Sequence, residues 1–348
     1  MAADVIRSHL RNGELTLAVA AARNALGSPE KHEEAELWAL LSRALCRVGE
    51  PREAARAATE ARRIAEQRPE ATVSGSWEVA LAHGEALLAQ GQPFAARAVF
   101  TEAIEGLRSR QRGLVAVDEP LQDVLRAAAE AEVWLGVALA EACRASGHAE
   151  EGMAAATRAL VHAERTFGRE SVEAADALLA LGGCRHAAGL EDAARTDLMR
   201  CLKIRRGKQE GHPDLAATLD LLGTVERNLG RPADAVKRHR EALALWIARC
   251  GEHSGPVGSC RHSLAQALHR TGDFEGARTE MTDALLITTR AFGADHVDAH
   301  IARFELGRFE MDCGLIEEGL GRMEAARKAT IAVLGVDHPV IKSMNRWL

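Results

Sequence analysis

A turn-like glycine recurs along the chain at Gly13, Gly49, Gly91, Gly147, Gly189, Gly230, Gly272 and Gly314, and five of the seven intervals are 41 or 42 residues. A repeat of this length constrains the fold more than any composition figure, because each unit must be one supersecondary module that stacks on the next. Every glycine separates two Ala/Leu-rich segments with helical spacing, the place where a helix ends on a left-handed residue. The flanking residues repeat as well. Five positions after the glycines stand Ala18, Ala54, Ala96, Gly152, Ala194, Ala235, Ala277 and Gly319; twelve after stand Ala25, Ala61, Ala103, Ala159, Cys201, Ala242, Ala284 and Ala326. Seven before the later glycines stand Ser42, Gly84, Ala140, Gly182, Gly223, Ala265 and Gly307. All are small, so each unit reads as two helices crossing closely, with a large apolar residue such as Leu41, Leu139 or Leu264 beside the small one. Such a hairpin cannot cover its own apolar face and must stack.

The columns resemble the tetratricopeptide repeat (TPR). The second unit carries Trp38, Leu41, Ser42, Leu45, Gly49, Ala54, Ala58 and Ala61; the third carries Gly84, Leu87, Gly91, Ala96, Phe100 and Ala103. The resemblance implies an all-α, right-handed α-solenoid of about eight TPR helix hairpins. The long period is similar to the kinesin-light-chain type of repeat, as are the linkers GHPD (211–214), GEHS (251–254), GADHVD (293–298) and GVDHPV (335–340). That type's paired Asn are replaced here by Asp220 and Leu221, so its cargo preferences are not carried over.

The expected organisation is a single solenoid over 1–348. N-terminal repeats fill 1–108 and C-terminal repeats 120–337, with a helix over 338–348 capping the last apolar edge. The interval between Gly91 and Gly147 exceeds the period by 14 residues, which predicts a lengthened connection over 109–119 before a helix restarting at Pro120. Lys and Arg number 44 against 50 Asp and Glu, a net charge of −6 that argues against a nucleic-acid binder. No apolar run approaches the roughly 20 residues of a membrane span, and the start MAADVIRSHL has no secretory pattern. Seven cysteines without a C-x-x-C pair fit reduced thiols and a cytoplasmic protein.

No constellation of catalytic residues emerges. The linker histidines His212, His253, His296 and His338 recur with the architecture, which predicts that they cap or pack the turn before the next helix. His296 and His300 share a helix face but lack further ligands for zinc. Walker, nucleophile-elbow and dinucleotide fingerprints are missing, and the cysteines fall mostly in packing columns. The expectation is a non-enzymatic chain without metal or cofactor.

In a stack of hairpins the first helices line the concave side. The packing columns lie seven, eight and eleven before each glycine, so the opposite stripe lies ten, six and three before it. With the adjacent position, the C-terminal stripe reads Asp220, Arg227, Asn228, His262, Gln266, His269, Arg270, Phe304, Arg308, Met311 and Asp312, and all but the two acids are the candidate partner contacts. Arginine forks pair with carboxylates, and an aromatic among them supplies a hot spot. The stripe therefore predicts a protein or peptide partner, a segment that is acidic and carries an apolar anchor, docked on a scaffold or adaptor. Two further readings stay open: a regulatory sensor responding to a peptide or small molecule, and a non-catalytic subunit of an enzyme complex.

Overall fold

The structure, a computed structural model, describes residues 2–29, 33–67, 76–113, 121–208, 212–336 and 338–348, with the backbone alone at 76, 110–113, 121–127, 292 and 339. All of its regular elements are helices. They pair as hairpins: α1 (Ala2–Arg11) with α2 (Leu15–Leu26), α3 (Glu34–Val48) with α4 (Pro51–Gln67), α5 (Ser76–Ala89) with α6 (Pro93–Gly113), α7 (Leu121–Ala145) with α8 (Ala149–Thr166) and α9 (Val172–Ala187) with α10 (Glu191–Lys208). The later elements are α11 (Pro213–Asn228), α12 (Pro232–Cys250), α13 (Gly255–Thr271), α14 (Phe274–Phe292), α15 (Val297–Asp312), α16 (Ile316–Leu334) and the short α17 (Pro339–Met344). The all-α hairpin-solenoid class expected from the repeat is the class observed.

All eight period-setting glycines have positive φ; Gly49, at φ 92°, closes α3 by donating its N–H to the carbonyls of Leu45 and Cys46. The small-residue columns lie at the helix crossings. Ala18, Ala54, Ala96, Ala194, Ala235 and Ala277 are fully buried. A Cβ on Gly84 would sit 2.2 Å from the Phe100 ring, and one on Gly307 would meet the Gly319 carbonyl oxygen at 2.6 Å. Backbone and ring thus occupy the space a side chain would need, which is why these columns admit nothing larger.

The linkers between hairpins repeat with equal regularity. Gly168, Gly251, Gly293 and Gly335 all have positive φ, and the residue three further on is the next helix's N-cap: Ser171, Ser254, His296 and His338. The imidazole Nδ1 of His296 accepts the Asp298 N–H at 3.3 Å, that of His338 accepts the Val340 N–H at 3.3 Å, and that of His212 accepts the Asp214 N–H at 3.1 Å. Capping is the expected role for these three. His253 differs: it precedes Ser254, which holds the N-cap position.

Two compact units divide the chain, residues 1–221 and 222–348. In the first, helices pack mainly on their sequence neighbours; Leu81, Phe100 and Leu135, for example, form one cluster across α5, α6 and α7. Helix α6 continues to Gly113, so the first residues of the expected connection, 109–113, are helical; 114–119 lie outside the described residues. In the second unit, Ile341 and Met344 of α17 pack against Met323 and Ala326 of α16.

Candidate functional site

In the second unit, the residues of the predicted stripe fall on α11, α13 and α15 and meet one another directly. Arg227 Nη1 donates to Gln266 Oε1. Gln266 Nε2 donates to Glu305 at 3.0 Å, and His262 Nε2 lies 2.7 Å from the same carboxylate. Two turns further along α13, His269 Nε2 lies 2.6 Å from Asp312 Oδ2 and its ring stacks on Phe309 at 4.8 Å. Arg308 sits over the Trp347 ring at 4.3 Å. Arg270 and Asn228 are exposed, whereas Arg227, His262, Gln266, His269, Arg308 and Met311 are half-buried. Arg270 has no carboxylate partner among the described residues.

One assignment needs correcting. Phe304 is only 4% exposed and packs among Met323, Ala326, Ile341 and Met344, so it is a core residue and not an anchor in the groove. Met311 borders the same cluster. Sequence reasoning also missed Glu305, the acceptor at the centre of the row. Burial alone would raise its carboxyl; hydrogen bonds from His262 and Gln266 and the charge of Arg308 overcome this and hold it below the ordinary carboxylate value. The row is therefore internally paired, each first helix tied sideways to the next.

Ionic contacts of another kind fill the first unit. Arg7 grips Glu78 with two hydrogen bonds of 3.0 Å and also pairs with Glu36. Arg47 pairs with Asp214 and donates to the Leu10 carbonyl at 3.3 Å. Arg205, 1% exposed, donates to Asp176 at 2.5 Å and lies 3.4 Å from Asp214. The turn after α1 abuts the start of α11: a Cβ on Gly13 would lie 2.2 Å from Pro213 Cδ. Residues far apart in sequence thus converge on the inner side of these hairpins.

Four of the seven cysteines lie in the core. Cys143, Cys184, Cys201 and Cys260 are buried, and burial pushes the thiols of Cys46 and Cys184 up to about 12. The Cys184 thiol donates instead to the Ala140 carbonyl at 3.4 Å. His300, considered with His296 for a metal, accepts from Arg303 at 3.0 Å and is buried.

Residues 183–248 and 214–285 match the family described as Tetratricopeptide repeat. A clustered mitochondria protein homolog of Neosartorya fischeri is 29% identical over 147 residues, which is 41% of this chain and 11% of that protein's length. Among solved structures, BtubC (BKLC) from P. vanneervenii superposes with a TM-score of 0.56 at 19% identity, covering 70% of this chain and 92% of that one. A Rap protein complexed with competence and sporulation factor gives 0.64 at 13% identity, covering 100% and 95%. At these identities the structural likenesses speak for the fold.

Proposed function

We propose that this chain, which belongs to the tetratricopeptide repeat family, is a non-enzymatic scaffold that docks a segment of a protein partner across the first helices α11, α13 and α15. The observation that carries this reading is the row Arg227, Gln266, His262 and Glu305. It places polar groups of three consecutive first helices side by side and half open to solvent. Their mutual hydrogen bonds fix them before a partner arrives, which lowers the ordering cost of binding. Arg270 and Arg308 meet the acidic part of the segment. With Phe304 in the core, its apolar anchor lies against Trp347, 58% exposed, and Met311. Seven free thiols and no described helix long and apolar enough to cross a membrane support a cytoplasmic scaffold.

The test is affinity capture by the full chain, with cross-links mapped on the bound partner. Cross-links are expected on α13 and α15. The double variant Arg270→Glu, Arg308→Glu should lose capture while its circular dichroism is unchanged. Undiminished capture, or cross-links confined to other helices, would exclude the site.

A further inference from the structure

In a stack of hairpins each unit touches its sequence neighbours, and the end of α1 departs from this. Arg7 reaches Glu78 on α5, two hairpins on, and Arg11 Nη2 donates to Glu130 on α7 at 3.1 Å, three hairpins on. The turn at Gly13 reaches the start of α11: a Cβ there would lie 2.2 Å from Pro213 Cδ and 2.9 Å from His212 Cδ2. The His212 imidazole is directed at the backbone of Leu10 and Arg11. Arg47 of α3 joins both sides, donating to the Leu10 carbonyl at 3.3 Å and pairing with Asp214. The first hairpin thus closes the first unit on itself.

This junction and the hairpin stack are held by different forces. The stack rests on side chains that water does not reach, such as Leu81, Phe100 and Leu135, all fully buried. At the junction Arg11 is 66% exposed and Glu130 28%, while Arg47 and Asp214 are 28% and 23% exposed. Attraction between charges this open to water is modest and is screened by salt, the Debye length falling from about 10 Å at 0.1 M to about 3 Å at 1 M. Apolar burial is not screened in this way. Asp214 also lies 3.4 Å from the buried Arg205, so it keeps a cation when Arg47 leaves. Arg7 differs from Arg11 and Arg47, since its partner Glu78 is only 2% exposed, and it holds the body of α1 in place. The weak part is therefore the C-terminal end of α1 with its turn.

The same junction walls a cavity of about 250 Å3 on the inner side of the unit, lined by Arg11, Arg47, His212 and Asp214 together with Trp77 and Trp134. We infer that the end of α1 and the turn at Gly13 form a releasable clasp over this cavity. Release breaks the Arg11–Glu130 and Arg47–Asp214 pairs, lifts the turn from Pro213 and uncovers the two indoles, while the hairpins stay folded. Such local openings cost less than global unfolding wherever few apolar contacts are broken. The clasp shares no residue with the α11–α13–α15 row, so it stands or falls separately from partner docking.

The experiment follows hydrogen exchange of the full chain by mass spectrometry at about 0.05 M and about 1 M NaCl. Peptides covering residues 8–14 and 212–216 should exchange at least about threefold faster at the higher salt, while those from α4 and α8 keep their rates. The double variant Arg11→Gln, Arg47→Gln should reproduce this at the lower salt and lose most of the salt response, with circular dichroism unchanged. Acrylamide quenching of tryptophan emission should rise with it, as Trp77 and Trp134 come within reach. If Arg47→Gln disturbs folding, Arg11→Gln alone, at an exposed position, should give the same changes at smaller amplitude. Equal exchange at both salt concentrations and in the variants would overturn the inference. So would faster exchange shared by α4 and α8, or quenching that does not rise.

Discussion

His212 gives the first unit a calculable sensitivity to acid. Its imidazole caps α11 through Nδ1 and is 4% exposed. Burial first, and then the charges of Arg47 and Arg205, lower its pKa from 6.5 to about 4. The unfolded chain therefore takes up a proton near pH 6.5, while the folded chain resists until about pH 4. The stability this contributes is fully present above pH 6.5 and is lost as the pH falls toward 4. At 1.36 kcal/mol per pKa unit, the loss between pH 7 and pH 5 comes to about 2 kcal/mol. His212→Asn keeps an oxygen able to accept the Asp214 N–H, and Asn is among the best N-cap residues. It cannot titrate. Urea unfolding of both proteins at pH 7 and pH 5, followed by circular dichroism and tryptophan emission, isolates the effect. His83 and His300 also have lowered pKa values, but they are common to both proteins and cancel in the difference. The variant should lose about 2 kcal/mol less than the parent on acidification. Equal losses would mean that His212 titrates alike in both states, and the buried-cap account would be wrong.

Two further outcomes follow from burial. Phe304→Ala should lower the unfolding free energy by about 3–5 kcal/mol, as truncation of a core aromatic does; a change within about 0.5 kcal/mol in urea titration would return the residue to the surface. Native Cys184 should resist iodoacetamide at pH 8 and become alkylated only after unfolding, since its thiol lies near 12; peptide mass mapping of the two samples checks this.

The repeat was legible because each of its columns has one dominant cause. A left-handed turn selects glycine, a close crossing selects a small residue, and a helix start selects a capping side chain. The stripe was less legible at its margin. The column ten before each glycine holds Ala39 and Leu81, both fully buried, but also His262, half open to solvent. It lies on the border between the packing face and the open face, and the side chain's own polarity decides which way it turns. In α15 that residue is Phe304, and α16 and α17 supply an apolar bed for it. Glu305 stands in the next column, which elsewhere holds buried Leu40, Ala82 and Ala138. An acid among apolar residues was the available signal. Its partners, His262 and Gln266, are 43 and 39 residues away and become neighbours only when the hairpins stack. Arg7 and Glu78, 71 residues apart, lie beyond any column argument. Their meeting depends on how α1 and α5 are brought together in the fold, which the period does not specify.

If a segment docks on α13 and α15 as proposed, the sideways pairing also limits how it can lie there. A carboxylate arriving over the middle of the row meets Glu305, already ionised and already holding its two donors, and is repelled. The same carboxylate displaced toward the helix ends meets Arg270, or Arg308 above the Trp347 ring. A repulsive centre between attractive flanks penalises every shift that brings an acidic residue over Glu305, so it selects a register as well as a charge. Like charges in a half-desolvated site cost more than the same charges at the open surface. On the proposed docking, Glu305 would discriminate more strongly among segments than the exposed Arg270, the group that would first attract them.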